Sequence, residues 1–109
     1  MTITIYEAAV AQLAEHHARV GKNEYGASVT PGFVVCAGAE GRARVSHVTP
    51  SPDLLDPDRI SDDDLAAERH RMVDAYAATL TAAGWRVEQR GPRSRYPYLL
   101  AGRPHPAAK

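Results

Sequence analysis

Apolar positions along this chain recur at two spacings, and the spacings divide it into helices and strands. Ile5, Ala9, Leu13, His16 and Val20 fall at helical spacing on one side. Thr4-Ile5-Tyr6-Glu7 precedes them in the form of a capping box, so a helix is predicted from Thr4 to about Arg19 or Val20, stopped by Gly21. Residues 22–32 hold Gly26, Pro31 and Gly32 and read as a connection with a short strand near Ser28-Val29. Phe33 to Ala37 is a continuous apolar run of strand length, and Gly38 to Gly41 is a turn. Arg42 to Val48 then alternates, with Ala43, Val45 and His47 on one face and Arg42, Arg44 and Ser46 on the other. These two runs predict a hairpin.

Thr49 to Arg59 carries Pro50, Pro52 and Pro57 and is a crossing loop, in which Leu54 and Leu55 are expected to pin the chain to the core. Ile60-Ser61-Asp62-Asp63-Asp64-Leu65 is a helix start. Ser61 is the N-cap, three aspartates suit the positive end of the helix dipole, and Ile60 and Leu65 are placed as a hydrophobic staple. The helix should run to about Ala83 on a stripe of Leu65, Met72, Tyr76, Leu80 and Ala83, with Val73 beside it. Gly84 is its left-handed stop and Trp85 the apolar contact that follows. Trp85, Val87 and Gln89 alternate with Arg86, Glu88 and Arg90; Gly91 to Ser94 turns the chain; Tyr96 to Ala101 is a last strand, which Pro97 assigns to a sheet edge.

The element order α-β-β-α-β-β gives an α+β fold, with two helices on one face of a mainly antiparallel four-stranded sheet. Residues 1–101 are expected to form one compact domain and residues 102–109, with two prolines, a flexible tail. A chain of 109 residues buries roughly 60–65% of its unfolded surface, and much of its apolar content is alanine. The core should therefore be thin, and a homodimer interface would complete it.

Charge changes the picture. The net charge is zero, yet residues 1–68 hold five Lys/Arg against eleven Asp/Glu, or −6, and residues 69–109 hold eight against two, or +6. A molecule with one acidic and one basic surface suits head-to-tail self-association or a charged partner. The single cysteine excludes an internal disulfide and a multi-cysteine zinc site. The first residues lack the basic and apolar segments of a cleavable signal, and no apolar run reaches membrane-spanning length. The expected compartment is the cytoplasm, with no membrane partner. Eleven arginines against two lysines match a GC-rich bacterial or phage gene.

Catalytic, metal and cofactor motifs are missing. Cys36 lies in an apolar strand and reads as a small buried hydrophobe, although His47 on the paired strand offers the one Cys/His arrangement in the chain. His16 and His17 are adjacent and diverge by about 100° on a helix. His70 and Asp74 read as an exposed helix pair. His47 falls on the core face of its strand and reads as a satisfied core histidine. The aspartates at 53, 56, 58 and 62–64 serve loop solvation and helix capping. No glycine forms a nucleotide-binding motif, and no cofactor is implied.

The arginines carry the functional expectation. Arg86, Arg90, Arg93 and Arg95 lie in or beside the second hairpin, interleaved with Tyr96 and Tyr98, and Arg42 and Arg44 lie on the outer face of the first. Gathered on the open sheet face, Arg42, Arg44, Arg86, Arg90, Arg93, Arg95 and Tyr96 would contact phosphates and bases of a nucleic acid. Tyr96, Tyr98, Leu99 and Leu100 form an apolar edge that suits a protein partner or a second copy. The leading expectation is a small non-enzymatic binding or regulatory protein that acts through protein–protein contact or self-association. Nucleic-acid binding is its alternative, and an enzyme built on Cys36 and His47 ranks last.

Overall fold

The computed structural model describes residues 4–51 and 53–103. Its α+β architecture is the expected one. Helix α1 (Ile5–Ala14) precedes a two-residue strand β1 (Gly21–Lys22) and strands β2 (Ser28–Thr30), β3 (Gly32–Ala37) and β4 (Ala43–Val48). Helix α2 (Asp62–Ala82) and strands β5 (Arg86–Arg90) and β6 (Tyr98–Gly102) follow. β3, β4, β6 and β5 form one antiparallel sheet in that order, and β1 and β2 pair separately.

Both helices start where side-chain caps allow. The Thr4 hydroxyl accepts from the Glu7 amide at 3.1 Å and the Ser61 hydroxyl from the Asp64 amide at 3.1 Å. α2 ends on Gly84 at φ 92°, with the Trp85 amide donating to the Leu80 carbonyl at 3.0 Å, so Trp85 folds into the core as expected.

Three expectations about the elements are corrected. α1 ends at Ala14, a turn and a half before Val20, because residues 18–20 leave the helix to extend β3. The Phe33 amide donates to the Ala18 carbonyl at 3.0 Å and the Val20 amide to the Phe33 carbonyl at 3.1 Å, so a free strand edge finds partners that another helical turn would withhold. Gly21 therefore opens β1 and stops no helix. Second, β6 is an interior strand between β4 and β5 and is not an edge. Pro97 immediately precedes it, where the missing N–H breaks no ladder bond. Tyr98, Leu99 and Leu100 are thus paired on both sides, with the two leucines buried, and Tyr96 lies in the turn before the strand. No apolar edge exists there for a partner to extend. Third, Gly102 belongs to β6, while residues 104–109 of the expected tail lie outside the described residues.

The core forms between the helices and one sheet face. Register places Phe33 opposite His47, Val35 and Leu99 either side of Val45, and Ala37 and Ala101 either side of Ala43. Apart from Ala37, which is exposed at the strand end, these inward positions meet Ala9 and Leu13 of α1 and Val73, Tyr76, Ala77 and Leu80 of α2. Leu54 and Leu55 do not join them, against expectation: they are 75% and 92% exposed. Two local turns hold them out. Asp53 Oδ1 accepts from the Leu55 amide and Asp56 Oδ1 from the Asp58 amide, which closes the loop on itself before its leucines reach the core.

Candidate binding face and buried histidine network

Strand alternation sends every second side chain to the face away from the helices. The register makes that outer face a grid. One row runs Val34, Ser46, Tyr98, Arg90; the next runs Cys36, Arg44, Leu100, Glu88; Arg86 stands opposite Gly102 beyond it. The 38–42 turn folds over this second row. A Cβ on Gly38 would lie 2.7 Å from Leu100 Cδ2 and 2.9 Å from the Arg42 carbonyl oxygen, so the turn covers Leu100, and the backbone contact favours glycine there. From the same turn Arg42 reaches across to β5 and donates to Glu88 at 2.8 Å. Glu88 also pairs with Arg90. The Arg42 bond, then the Arg90 bond, hold the Glu88 carboxyl below the usual carboxylate range. Arg44 lies over the Tyr98 ring at 3.9 Å, a cation–π contact that fixes both.

The seven residues expected to form one nucleic-acid patch therefore divide. Arg42, Arg44, Arg86 and Arg90 share the outer face, whereas Arg93, Arg95 and Tyr96 belong to the 91–97 turn beside α2. Arg95 donates to Asp63 at 2.8 Å and Arg69 sits over the Tyr96 ring at 4.5 Å. His70 belongs to this second group: its Nε2 lies 2.7 Å from the Ser94 carbonyl oxygen, so it ties the turn to α2 and is no free partner for Asp74. The turn is drawn to the acidic start of α2 by charge, and that attraction removes Arg95 from the sheet face.

Cys36 and His47 are separated too. Cys36 is exposed on the outer face, opposite Arg44, and is not a buried core thiol. Strand parity decides this: Phe33 and Val35 face inward, so Cys36 cannot. His47 points inward and is buried. Its Nδ1 lies 2.6 Å from the Tyr76 hydroxyl and its Nε2 2.7 Å from Glu68 Oε2. Burial, then the Glu68 charge, push the Tyr76 hydroxyl up to about 12, so it keeps its proton. A neutral His47 that donates from Nε2 to Glu68 and accepts from Tyr76 at Nδ1 satisfies all three groups. With both nitrogens engaged, the imidazole fixes the register of α2 against β4. The sequence signal for this network is Glu68 itself, the one acid in the Leu65, Glu68, Met72, Tyr76 strip at helical spacing.

Glu68 also lines a cleft of about 360 Å³ with Pro31, Pro50, Arg59, Ile60 and Leu65. Arg59 Nη1 is buried there with no hydrogen-bond partner among the described residues, and Asp62 Oδ1 is 3.6 Å away. Among the described residues no group of three His, Cys, Asp or Glu side chains is placed to hold a metal ion.

On the far side of Tyr76, His17 meets Thr79 at 2.7 Å and stacks edge-on to the tyrosine ring, 4.9 Å between centroids. Burial, then His16, lower the His17 pKa below 6.5. The folded protein therefore binds this proton less well than the unfolded chain. Stability from His17 is full above pH 6.5 and is lost as pH falls through that value toward the folded pKa. The midpoint of thermal unfolding should fall between neutral and mildly acidic pH by more in the wild type than in His17→Gln; parallel curves would remove His17 from the account.

No helix of the described residues is long and apolar enough to cross a membrane. No protein-family model, curated protein or solved structure matches the chain.

Proposed function

We propose that the protein is a non-enzymatic binding module that works through the outer face of its sheet, and that the face engages the phosphate backbone of a nucleic acid. The observation that carries this reading is the register that sets Arg44 on β4 and Arg86 and Arg90 on β5, either side of β6, on one helix-free surface. Guanidinium groups suit phosphates because they donate in a planar fork and stay charged. Arg42 and Glu88 brace the surface, and Glu88 subtracts one charge from it. Tyr98 lies under Arg44, so its upper ring face is taken and base stacking contributes little. The mode is thus backbone contact without sequence readout. A phosphate-free acidic protein is the second reading, supported by the apolar and aromatic neighbours Val34 and Tyr98, since aromatic residues and arginine are favoured at protein interfaces.

Fluorescence anisotropy with a labelled duplex tests the first reading. Three arginines exposed on one face predict a slope of log affinity on log salt of about −3, and each of Arg44→Ala, Arg86→Ala and Arg90→Ala should make it shallower by about one. The affinity should not depend on base sequence. A flat titration at low salt, or a slope that the three substitutions leave unchanged, would end the nucleic-acid reading.

A further inference from the structure

We infer that the outer sheet face has a second occupant, the 53–60 loop of another copy of this chain, so that molecules join head to tail. Two unexplained surfaces lead to this. The loop presents Leu54 at 75%, Leu55 at 92% and Ile60 at 55% exposure, three large apolar side chains within seven residues. An apolar cluster held out in water marks a contact surface. It is held out by structure: the Asp56 amide donates to the Asp53 carbonyl at 3.1 Å and the Arg59 amide to the Asp56 carbonyl at 3.2 Å, alongside the two aspartate side-chain turns. The cleft beside the loop is not its resting place, because Asp53 and Asp56 line that cleft and the two leucines do not.

The leucines sit in an acidic segment. Residues 53–60 hold three aspartates against Arg59, and α2 opens beside them on Asp62, Asp63 and Asp64, of which Asp62 faces Arg59 and Asp63 pairs with Arg95. The sheet face has the opposite sign, four arginines against Glu88 and the Glu40 of the 38–42 turn, with Val34 and Tyr98 as apolar ground in the row beside Arg90. An acidic, leucine-tipped loop and a basic, partly apolar face are complementary in both terms. The loop does not rest on the face of its own chain, since Leu54 and Leu55 are exposed. The loop leaves β4 at Val48, the end of the strand that pairs with Gly32, and leads to α2 on the inner side. Arg86 and the 38–42 turn lie at the opposite end of the outer face. Each copy thus offers one loop and one face, and a heterologous contact of this kind propagates instead of closing. It uses the same face as the nucleic-acid reading with a different ligand. A loop rich in carboxylates would then compete with phosphates, and assembly would mask the binding face.

Sedimentation velocity on the full chain without nucleic acid tests it. At low salt the average mass should rise with concentration above the 11.8 kDa of one chain, and added salt should return it to one chain. Leu55→Asp blocks the loop and Arg86→Glu blocks the face, and each variant alone should stay monomeric. Their equimolar mixture should form a species of twice the chain mass and nothing larger, because one intact face meets one intact loop. Circular dichroism of both variants should match the wild type, since both positions are exposed. A wild type that remains monomeric at every concentration overturns the inference. So does an assembly that either variant leaves intact, or a mixture that gives no pair. None of these results touches the anisotropy titration, so the two readings fail separately.

Discussion

Tyr76→Ala should cost about 3–5 kcal/mol of stability, the largest effect of any single substitution we expect. The side chain is fully buried, packs edge-on to Phe33 at 6.0 Å and to His17 at 4.9 Å, and caps His47 Nδ1. Removal leaves a cavity between α2 and the sheet and deprives a buried imidazole of one partner. A small domain is stable by about 5–15 kcal/mol, so this loss takes a large share of the total and should move the urea midpoint to much lower concentration. Tyr76→Phe separates the two contributions. It keeps the ring and its volume, removes only the hydroxyl, and should cost about 1–3 kcal/mol through the unsatisfied His47 nitrogen. Urea unfolding followed by tryptophan fluorescence reads both, because Trp85 is buried in the same cluster. If Phe costs as much as Ala, packing is not the major part; if Phe costs nothing, the His47 hydrogen bond does not stabilise the fold.

Gly32→Ala comes next, at about 1–3 kcal/mol or more, by overpacking. A Cβ there would lie 2.4 Å from the Arg19 carbonyl carbon, 2.4 Å from the Val20 nitrogen and 2.6 Å from the Ala18 carbonyl oxygen. All three are backbone atoms, so no rotamer change relieves the clash. The 18–20 segment must move away, and with it the two hydrogen bonds that extend β3 at Phe33. The prediction is specific in location. Hydrogen exchange should accelerate at the Phe33 and Val20 amides before it does in β4 or β6. Gly26→Ala gives the contrast: its added Cβ meets nothing within 4 Å, and the cost comes only from φ of 81°. Equal exchange profiles for the two variants would show that close approach is not what selects glycine at position 32.

The two helix caps, the glycine stop at Gly84, the inward positions of β4 and the α+β class are legible in the sequence because each rests on contacts within a few residues or on a fixed period. Thr4 and Glu7 are neighbours whatever else the chain does, and Ala43, Val45 and His47 must share a face in any strand. Three features are not local, and the sequence does not contain them in readable form. α1 ends early because the Phe33 backbone needs partners, and Phe33 is thirteen or more residues from those it takes. β6 is interior because β4 and β5 both pair with it, and a proline before the first ladder bond looks the same from sequence as a proline on an edge. The arginines divide because Asp63 at the start of α2 captures Arg95, an ion pair across thirty-two residues.

What the sequence determined by itself is the list of elements, the parity of each strand and the division of charge along the chain. Tertiary structure alone decided which parities face each other, and so which charges share a surface. Arg44, Arg86 and Arg90 share a face because β4 and β5 flank β6, Glu68 meets His47 because α2 crosses β4, and Leu54 and Leu55 stay in water because two aspartate turns close before the core is reached. The physical reason is one of range. Hydrogen-bond periods and caps act over four residues and are written in order, whereas pairing and packing join residues whose separation no local pattern encodes.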